Sequence, residues 1–219
     1  LVVRKDLAGA ILEYKDLKGK RIGLFSVGTL NEYTVEQALA KGGLTVQDVT
    51  LVPLGPPDMN VALANKSIDV GLQIEPLITQ AEQQGFAVPW KETTDYLPGA
   101  QIAVVLASPK FVANQAVADR FMTAYLKGLR DYNDAFRKGK DLDSVIEILT
   151  KYSEVKDKSV WRSVRVTGLN PNGYVSRESL TDQYRWYRAK GSVLQDVPLD
   201  KVIDMSLVDR AVKQLGEYK

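Results

Sequence analysis

Along the first hundred residues, short apolar runs alternate with stretches whose apolar positions recur at helical spacing. Leu1–Val3 reads as a short strand, Asp16–Lys20 as a turn-rich lead-in, and Arg21–Phe25 as a buried strand. Ser26–Thr29 is a turn of small residues. A helix over Asn31–Lys41 follows, ended by Gly42 and Gly43. Val49–Pro53 is the next strand, and Gly55–Pro57 turns the chain into a helix carrying Val61, Ala62 and Leu63, with Asp58 as its cap and its end near Lys66. Ile68–Leu72 is a third buried strand. Pro76 suits a first helical position after Glu75, Gly85 ends that helix, and Ala87–Trp90 is a short strand. Strands alternating with helices of this length imply parallel pairing through right-handed crossovers, so residues 8–100 read as a doubly wound α/β lobe. Gln101–Ala107 is then a long apolar strand that Pro109 brings to a stop.

The pattern changes after Asn114. Val117, Phe121, Tyr125, Leu129, Tyr132 and Phe136 follow one another at steps of 4, 4, 4, 3 and 4, a helical stripe about six turns long. Further helices are expected over Leu142–Tyr152, around Trp161, over Arg177–Lys190 and over Leu207–Leu215, with Ser176 and Ser206 as N-caps. Tyr184, Trp186 and Tyr187 read as packing residues rather than as an aromatic ligand cage. A second half made of helices and one apolar strand lacks a sheet to cover, which points to part of a larger unit.

Composition narrows the chemistry. The 219 residues carry 29 Lys and Arg against 27 Asp and Glu, a formal net charge of +2. No basic stripe of the kind that holds nucleic acid is present. No apolar run approaches the roughly 20 residues that span a bilayer. The chain has no Cys and no His, which excludes disulfides, thiolate nucleophiles, Cys/His zinc sites and imidazole-based triads together.

Four segments, in order, carry a resemblance: DLKGKRIGLFSVGT, ANKSIDVGLQIEPL, NGYVSRESLTDQYRWYRAKG and PLDKVIDMSLVDRAVKQLG. Together they resemble the solute-binding proteins of ABC importers, in the nitrate/sulfonate/taurine branch of the type II periplasmic binding fold. The resemblance covers nearly the whole chain and implies an α/β fold of two lobes, joined by crossover strands at residues 1–7 and 101–107. Residues 8–100 would form lobe two, and residues 108–219 the mainly helical part of lobe one and the hinge face. It implies that about the first third of such a protein precedes Leu1, with any signal peptide. It also implies a small anionic or zwitterionic ligand, sulfonate-like or related, held between lobes that close on it. The implied partners are that ligand and a membrane permease. The protein would be monomeric, periplasmic or lipid-anchored outside the cytoplasm, and non-enzymatic, without cofactor, metal or nucleic acid. A sensor domain of a regulatory protein is the alternative. A pyrimidine-synthase-like enzyme on the same fold is disfavoured, since the resemblance implies a His and Cys chemistry that this chain lacks.

Two segments are candidates for ligand contact. Ser26, Val27, Gly28 and Thr29 lie between a buried strand and a helix start, where backbone N–H groups and the helix field favour an anionic oxygen. The bland reading of the same residues is a capped strand-to-helix turn. Gln73 and Glu75 follow the third buried strand at the carboxyl edge of the sheet, where open α/β sheets bind ligands. Glu75 is equally a carboxylate that steadies a helix start. The related proteins often have Trp where this chain has Ile74, which weakens any expectation of aromatic stacking. Gly55–Asp58 would shape the cleft wall. Arg4 and Lys5 read as solvated strand-end charges, and Asp141, Asp143 and Glu147 as surface carboxylates.

Overall fold

The computed structural model describes residues 1–219. In chain order its elements are β1 (Val2–Arg4), β2 (Arg21–Leu24), α1 (Leu30–Lys41), β3 (Thr50–Pro53), α2 (Pro56–Ala64), β4 (Val70–Gly71), α3 (Leu77–Gln83), β5 (Ala87–Pro89), α4 (Thr93–Tyr96), α5 (Pro109–Ala113), α6 (Gln115–Lys138), α7 (Leu142–Tyr152), α8 (Lys158–Ser163), α9 (Arg177–Ala189) and α10 (Ser206–Leu215). They form two compact units. The first comprises residues 1–100, 163–165 and 178–194, and the second the remainder. Residues 178–194, which the sequence reading grouped with the rest of the second half, thus pack with the first hundred.

The first unit is an α/β layer structure around a five-stranded sheet of order β3-β2-β4-β1-β5. β2 is parallel to β3 and to β4, while β1 is antiparallel to both β4 and β5. The four strands within residues 21–90 therefore all run the same way, and β1 alone opposes them. Side chains alternate between the two faces. Val3, Ile22, Leu24 and Val70 meet Val35, Ala38 and Leu39 of α1 and Tyr96 of α4 on one face. Val2 and Ile68 meet Met59 and Leu63 of α2 and Ala81 of α3 on the other. Gly23 and Gly71 stand side by side in register on that second face. A Cβ on Gly23 would lie 2.6 Å from Ile68 Cδ1, and one on Gly71 2.9 Å from Met59 Sδ. The glycine pair is what lets α2 lie close to the sheet.

An ion cluster ties the opposite end of the strands together. Asp69 Oδ1 accepts from Arg21 Nη2 at 2.7 Å and from Arg4 Nη1 at 3.1 Å, and Oδ2 accepts from Arg21 Nε and the Arg21 amide. Arg4 is therefore a partly buried structural link across β1, β2 and β4 and not a solvated strand-end charge. Local expectations at two helix starts also change. Gly55 is the N-cap of α2, and Pro56 and Pro57 fill its first turn, where a missing N–H costs no helical bond, so Asp58 lies inside the helix. Pro76 is the N-cap residue of α3 and not its first helical residue.

In the second unit α6 runs 24 residues and packs on α10. Its buried face is Ala118, Met122, Leu126 and Leu129 against Leu207, Val208, Ala211 and Val212. That face lies one position on from the first half of the predicted stripe, whose Val117, Phe121 and Tyr125 are exposed, and meets the stripe at Leu129. Both faces are apolar, so helical spacing alone could not choose between them. Ser206 is the first residue of α10 and not its cap. The predicted strand Gln101–Ala107 is not one. The segment has no secondary structure, and its Ile102, Val104, Val105 and Leu106 are exposed, the last 90% exposed. A strand exists only against a partner strand, and the second unit has none.

Candidate functional site

The parallel register brings the predicted site segments to one edge. Leu24 ends β2 opposite Pro53 of β3, and Gly23 lies opposite Gly71 of β4. The loops Ser26–Thr29, Leu54–Gly55 and Gln73–Pro76 thus leave the sheet side by side at its carboxyl edge, the position where doubly wound sheets bind ligands.

The Ser26–Thr29 loop is a tight turn closed on itself. Gly28 has φ of +73°, a conformation that disfavours any Cβ. Thr29 is the N-cap of α1. Its Oγ1 accepts from the Asn31 amide and donates to the Ser26 carbonyl at 2.9 Å. The capping reading of Thr29 is therefore realised. The Gly28 N–H donates to Glu32 Oε2 at 2.7 Å. Glu32 is 6% exposed and was not among the predicted site residues. Thr29-Leu30-Asn31-Glu32 has the T-x-x-E spacing of a capping box, a local signal that could have found it. The Ser26 and Val27 amides make no hydrogen bond within the chain.

Gln73 is buried and committed to structure. Its Nε2 donates to the Pro56 carbonyl at 2.7 Å and to Asn60 Oδ1 at 2.9 Å, and its Oε1 accepts from the Ile74 amide. It fastens the start of α2 to the exit of β4, so its amide is spent on the protein itself. Glu75 Oε2 accepts from the amide and hydroxyl of Thr79, at 3.1 and 2.9 Å, which makes it the helix-start carboxylate of α3. Its Oε1 accepts from the Arg165 amide at 3.3 Å, with the Arg165 guanidinium 3.6 Å away and also paired to Glu82. Asp141, Asp143 and Glu147 are exposed in the second unit, far along the chain from this edge, with Asp143 paired to Arg162.

Around these polar groups the edge is apolar. Phe25 is 57%, Val27 48% and Ile74 56% exposed. Large apolar side chains thus stand at the exits of two adjacent buried strands; Val27 is among the predicted site residues, and Phe25 and Ile74 are not. The apolar run predicts Phe25 as the end of a buried strand, and the ladder stops one residue earlier at Leu24. The chain has no cluster of three or more His, Cys, Asp or Glu that could hold a metal ion. No helix is long and apolar enough to cross a membrane.

The sequence profile described as NMT1/THI5 like matches residues 1–135. The chain belongs to the NMT1/THI5-like family. Among solved structures, the ligand-binding component of an ABC-type import system from Staphylococcus aureus, with zinc bound, matches at TM-score 0.75 and 15% identity, over 96% of this chain and 69% of that one. The periplasmic aliphatic sulphonate binding protein SsuA from Escherichia coli matches at TM-score 0.70 and 20% identity, over 95% of this chain and 69% of that one. The desulfurization enzyme DszB has the same fold, at TM-score 0.60 and 17% identity over 98% of this chain and 75% of that one. A binding protein of Brucella abortus (strain 2308) is 28% identical over 142 residues, which is 64% of this chain and 43% of that protein. This NMT1/THI5-like chain thus spans less than half the length of the curated relatives it matches. Its α/β architecture is that of periplasmic binding proteins.

Proposed function

We propose that this chain acts in an extracytoplasmic solute-binding protein that delivers a small ligand to an ABC importer, and that the ligand combines an acceptor-rich head with an apolar body. The observation that carries the reading is the sheet edge itself. Two amides, of Ser26 and Val27, lack partners in the chain beside the exposed Phe25, Val27 and Ile74. Amides at a helix start hold a sulfonate or carboxylate oxygen, and the apolar side chains cover the rest of the molecule. The import component from Staphylococcus aureus and the sulphonate binder from Escherichia coli support it as neighbours of the same fold. Because DszB shares that fold, an enzyme is the rival class. One DszB structure is of a cysteine-to-serine mutant bound to biphenyl-2-sulfinic acid, and this chain has no cysteine. The import component and the sulphonate binder match at higher TM-scores than DszB, which supports the non-enzymatic reading.

The test is a thermal-shift and titration panel on the full-length gene product, with alkyl and aryl sulfonates, taurine, matching carboxylates and nitrate. At 100 times its dissociation constant a true ligand adds about 2.7 kcal/mol. Binding by the apolar-bodied acids and weak response to nitrate is the expected order. Equal response to nitrate, or turnover of a bound sulfinate, overturns the reading.

A further inference from the structure

The Gly28 amide, the best-placed donor of the loop, already holds an anion supplied by the protein. Glu32 Oε2 takes its N–H at 2.7 Å, while Glu32 Oε1 accepts from Lys190 Nζ at 2.8 Å. Lys190 lies 158 residues further along the chain, just past α9. Its own place is fixed three ways. It also donates to Glu36 Oε1 at 2.6 Å, its ammonium lies 5.0 Å from the Trp186 ring centroid, and Trp186 Nε1 donates to Glu36 Oε2 at 2.6 Å. The Trp186 ring packs edge-on against Tyr33 of α1 at 5.7 Å. All these residues belong to the first unit.

A carboxylate as buried as Glu32 is held in place only with a partner charge. We propose that Lys190 is a positioning residue for the Ser26–Thr29 loop, holding the Glu32 carboxylate against the Gly28 amide so that the loop offers a ligand the Ser26 and Val27 amides instead. The ligand half of this rests on the reading of the loop given above. The resident carboxylate fills the donor a free anion would seek first, and its charge disfavours a second anion at that atom. The head of the ligand is thereby displaced by one or two residues toward Phe25. Burial pushes the Glu32 carboxyl up, and Lys190 with the Gly28 amide more than reverses it, leaving the group below the usual carboxylate range. The charged groups facing it are Lys190 from beyond α9 and Glu36 from α1.

The decisive measurement is the pH titration of the Gly28 amide proton by NMR in the ¹⁵N-labelled 219-residue chain. In wild type the signal is expected downfield, steady until the pH falls below the ordinary Glu range of about 4.3. In Lys190→Met it moves upfield at a higher pH, the carboxyl becoming at least tenfold weaker as an acid, and Lys190→Arg restores the wild-type curve. Glu32→Gln flattens it. Lys190→Gln serves in place of Lys190→Met if the latter does not fold. A Lys190→Met or Lys190→Gln curve that superimposes on wild type overturns the proposal, as does a Gly28 titration that survives in Glu32→Gln. A second arm adds methanesulfonate. Shifts at Ser26 and Val27 with Gly28 unmoved are expected, and a Gly28 shift in wild type overturns the proposal. If none of the three amides moves, the ligand reading fails, while the titration still decides the role of Lys190.

Discussion

Replacing Asp69 with Asn removes one charge from the cluster that joins β1, β2 and β4 and changes little in shape. The Asp69 side chain is 12% exposed and accepts from Arg21 Nε, Arg21 Nη2, the Arg21 amide and Arg4 Nη1. In Asp69→Asn one oxygen becomes an NH₂ that faces guanidinium donors, so at least one charge-assisted bond is lost and one donor is set against another. Hydrogen bonds to charged groups are worth about 1.5–3 kcal/mol. Arg21 is 41% exposed, so water partly replaces what it loses. The expected cost at pH 7 is about 2–3 kcal/mol. The pH dependence follows from the direction of the Asp69 shift. Hydrogen bonding from Arg21, against a smaller effect of burial, holds the carboxyl below its ordinary value. A carboxyl depressed in the folded state contributes stability that is fully present above its unfolded value of about 3.9 and is lost as the pH falls through the folded value. The gap between wild type and Asp69→Asn should therefore be constant from pH 7 to about 5 and close progressively below pH 4. Depressed carboxyls outside the cluster, such as Asp16 and Asp48, are common to both proteins and cancel in the difference. Urea unfolding followed by tryptophan fluorescence measures this. A Trp161→Phe background leaves Trp90 and Trp186, both in the first unit. At a slope of about 2 kcal/mol/M the midpoint should fall by about 1 M at pH 7. A gap under 0.5 kcal/mol at pH 7, or one that widens in acid, refutes the reasoning.

Gly42→Ala should destabilise the first unit by about 1–3 kcal/mol in the same urea assay, since its Cβ would lie 2.5 Å from backbone atoms of Tyr14 and Lys15. Leu106→Lys in the exposed Gln101–Ala107 segment should leave stability unchanged within about 0.5 kcal/mol while lowering self-association in light scattering, because an exposed apolar, β-branched segment invites pairing with another chain and a lysine blunts it. Glu75→Gln should cost about 0.5–2 kcal/mol through the Thr79 cap, with calorimetry as the readout. It should also leave thermal-shift responses to the sulfonate panel in the wild-type order, since both Glu75 oxygens are engaged within the protein.

Much of the first unit is legible in the sequence because each strand is a short apolar run set off by turn residues, and the register of Gly23 with Gly71 merely places what those runs predict. The carboxyl-edge position of Ser26–Thr29 and of Gln73–Glu75 follows from the same alternation. What those side chains do there does not. Gln73 turns inward because Pro56 and Asn60, brought close by the α2 crossover, supply an acceptor each. The burial of Glu32 depends on Lys190, and no local pattern connects residues that far apart. In the second half, α6 has apolar residues on two faces, and only the position of α10 decides which is covered. Gln101–Ala107 illustrates the complementary failure: apolar content and β-branching predict a strand, but a strand is a property of a pair.

The charge balance at the sheet edge bears on what a ligand must bring. Glu32, Glu36 and Lys190 sum to −1, and Glu75, Glu82 and Arg165 likewise to −1. No cation in either cluster is left over for a ligand, since Lys190 and Arg165 each serve two carboxylates. On the function proposed above, an acidic head at this wall would meet amide dipoles and the α1 field, each a partial charge, rather than an ion pair. Such a wall tolerates a diffuse, weakly hydrated head like a sulfonate better than a compact anion whose hydration shell it cannot replace. The same two carboxylate-rich clusters favour a ligand whose other end carries a donor. The exposed Phe25, Val27 and Ile74 then account for the middle of the molecule, where neither charge nor hydrogen bonding is needed.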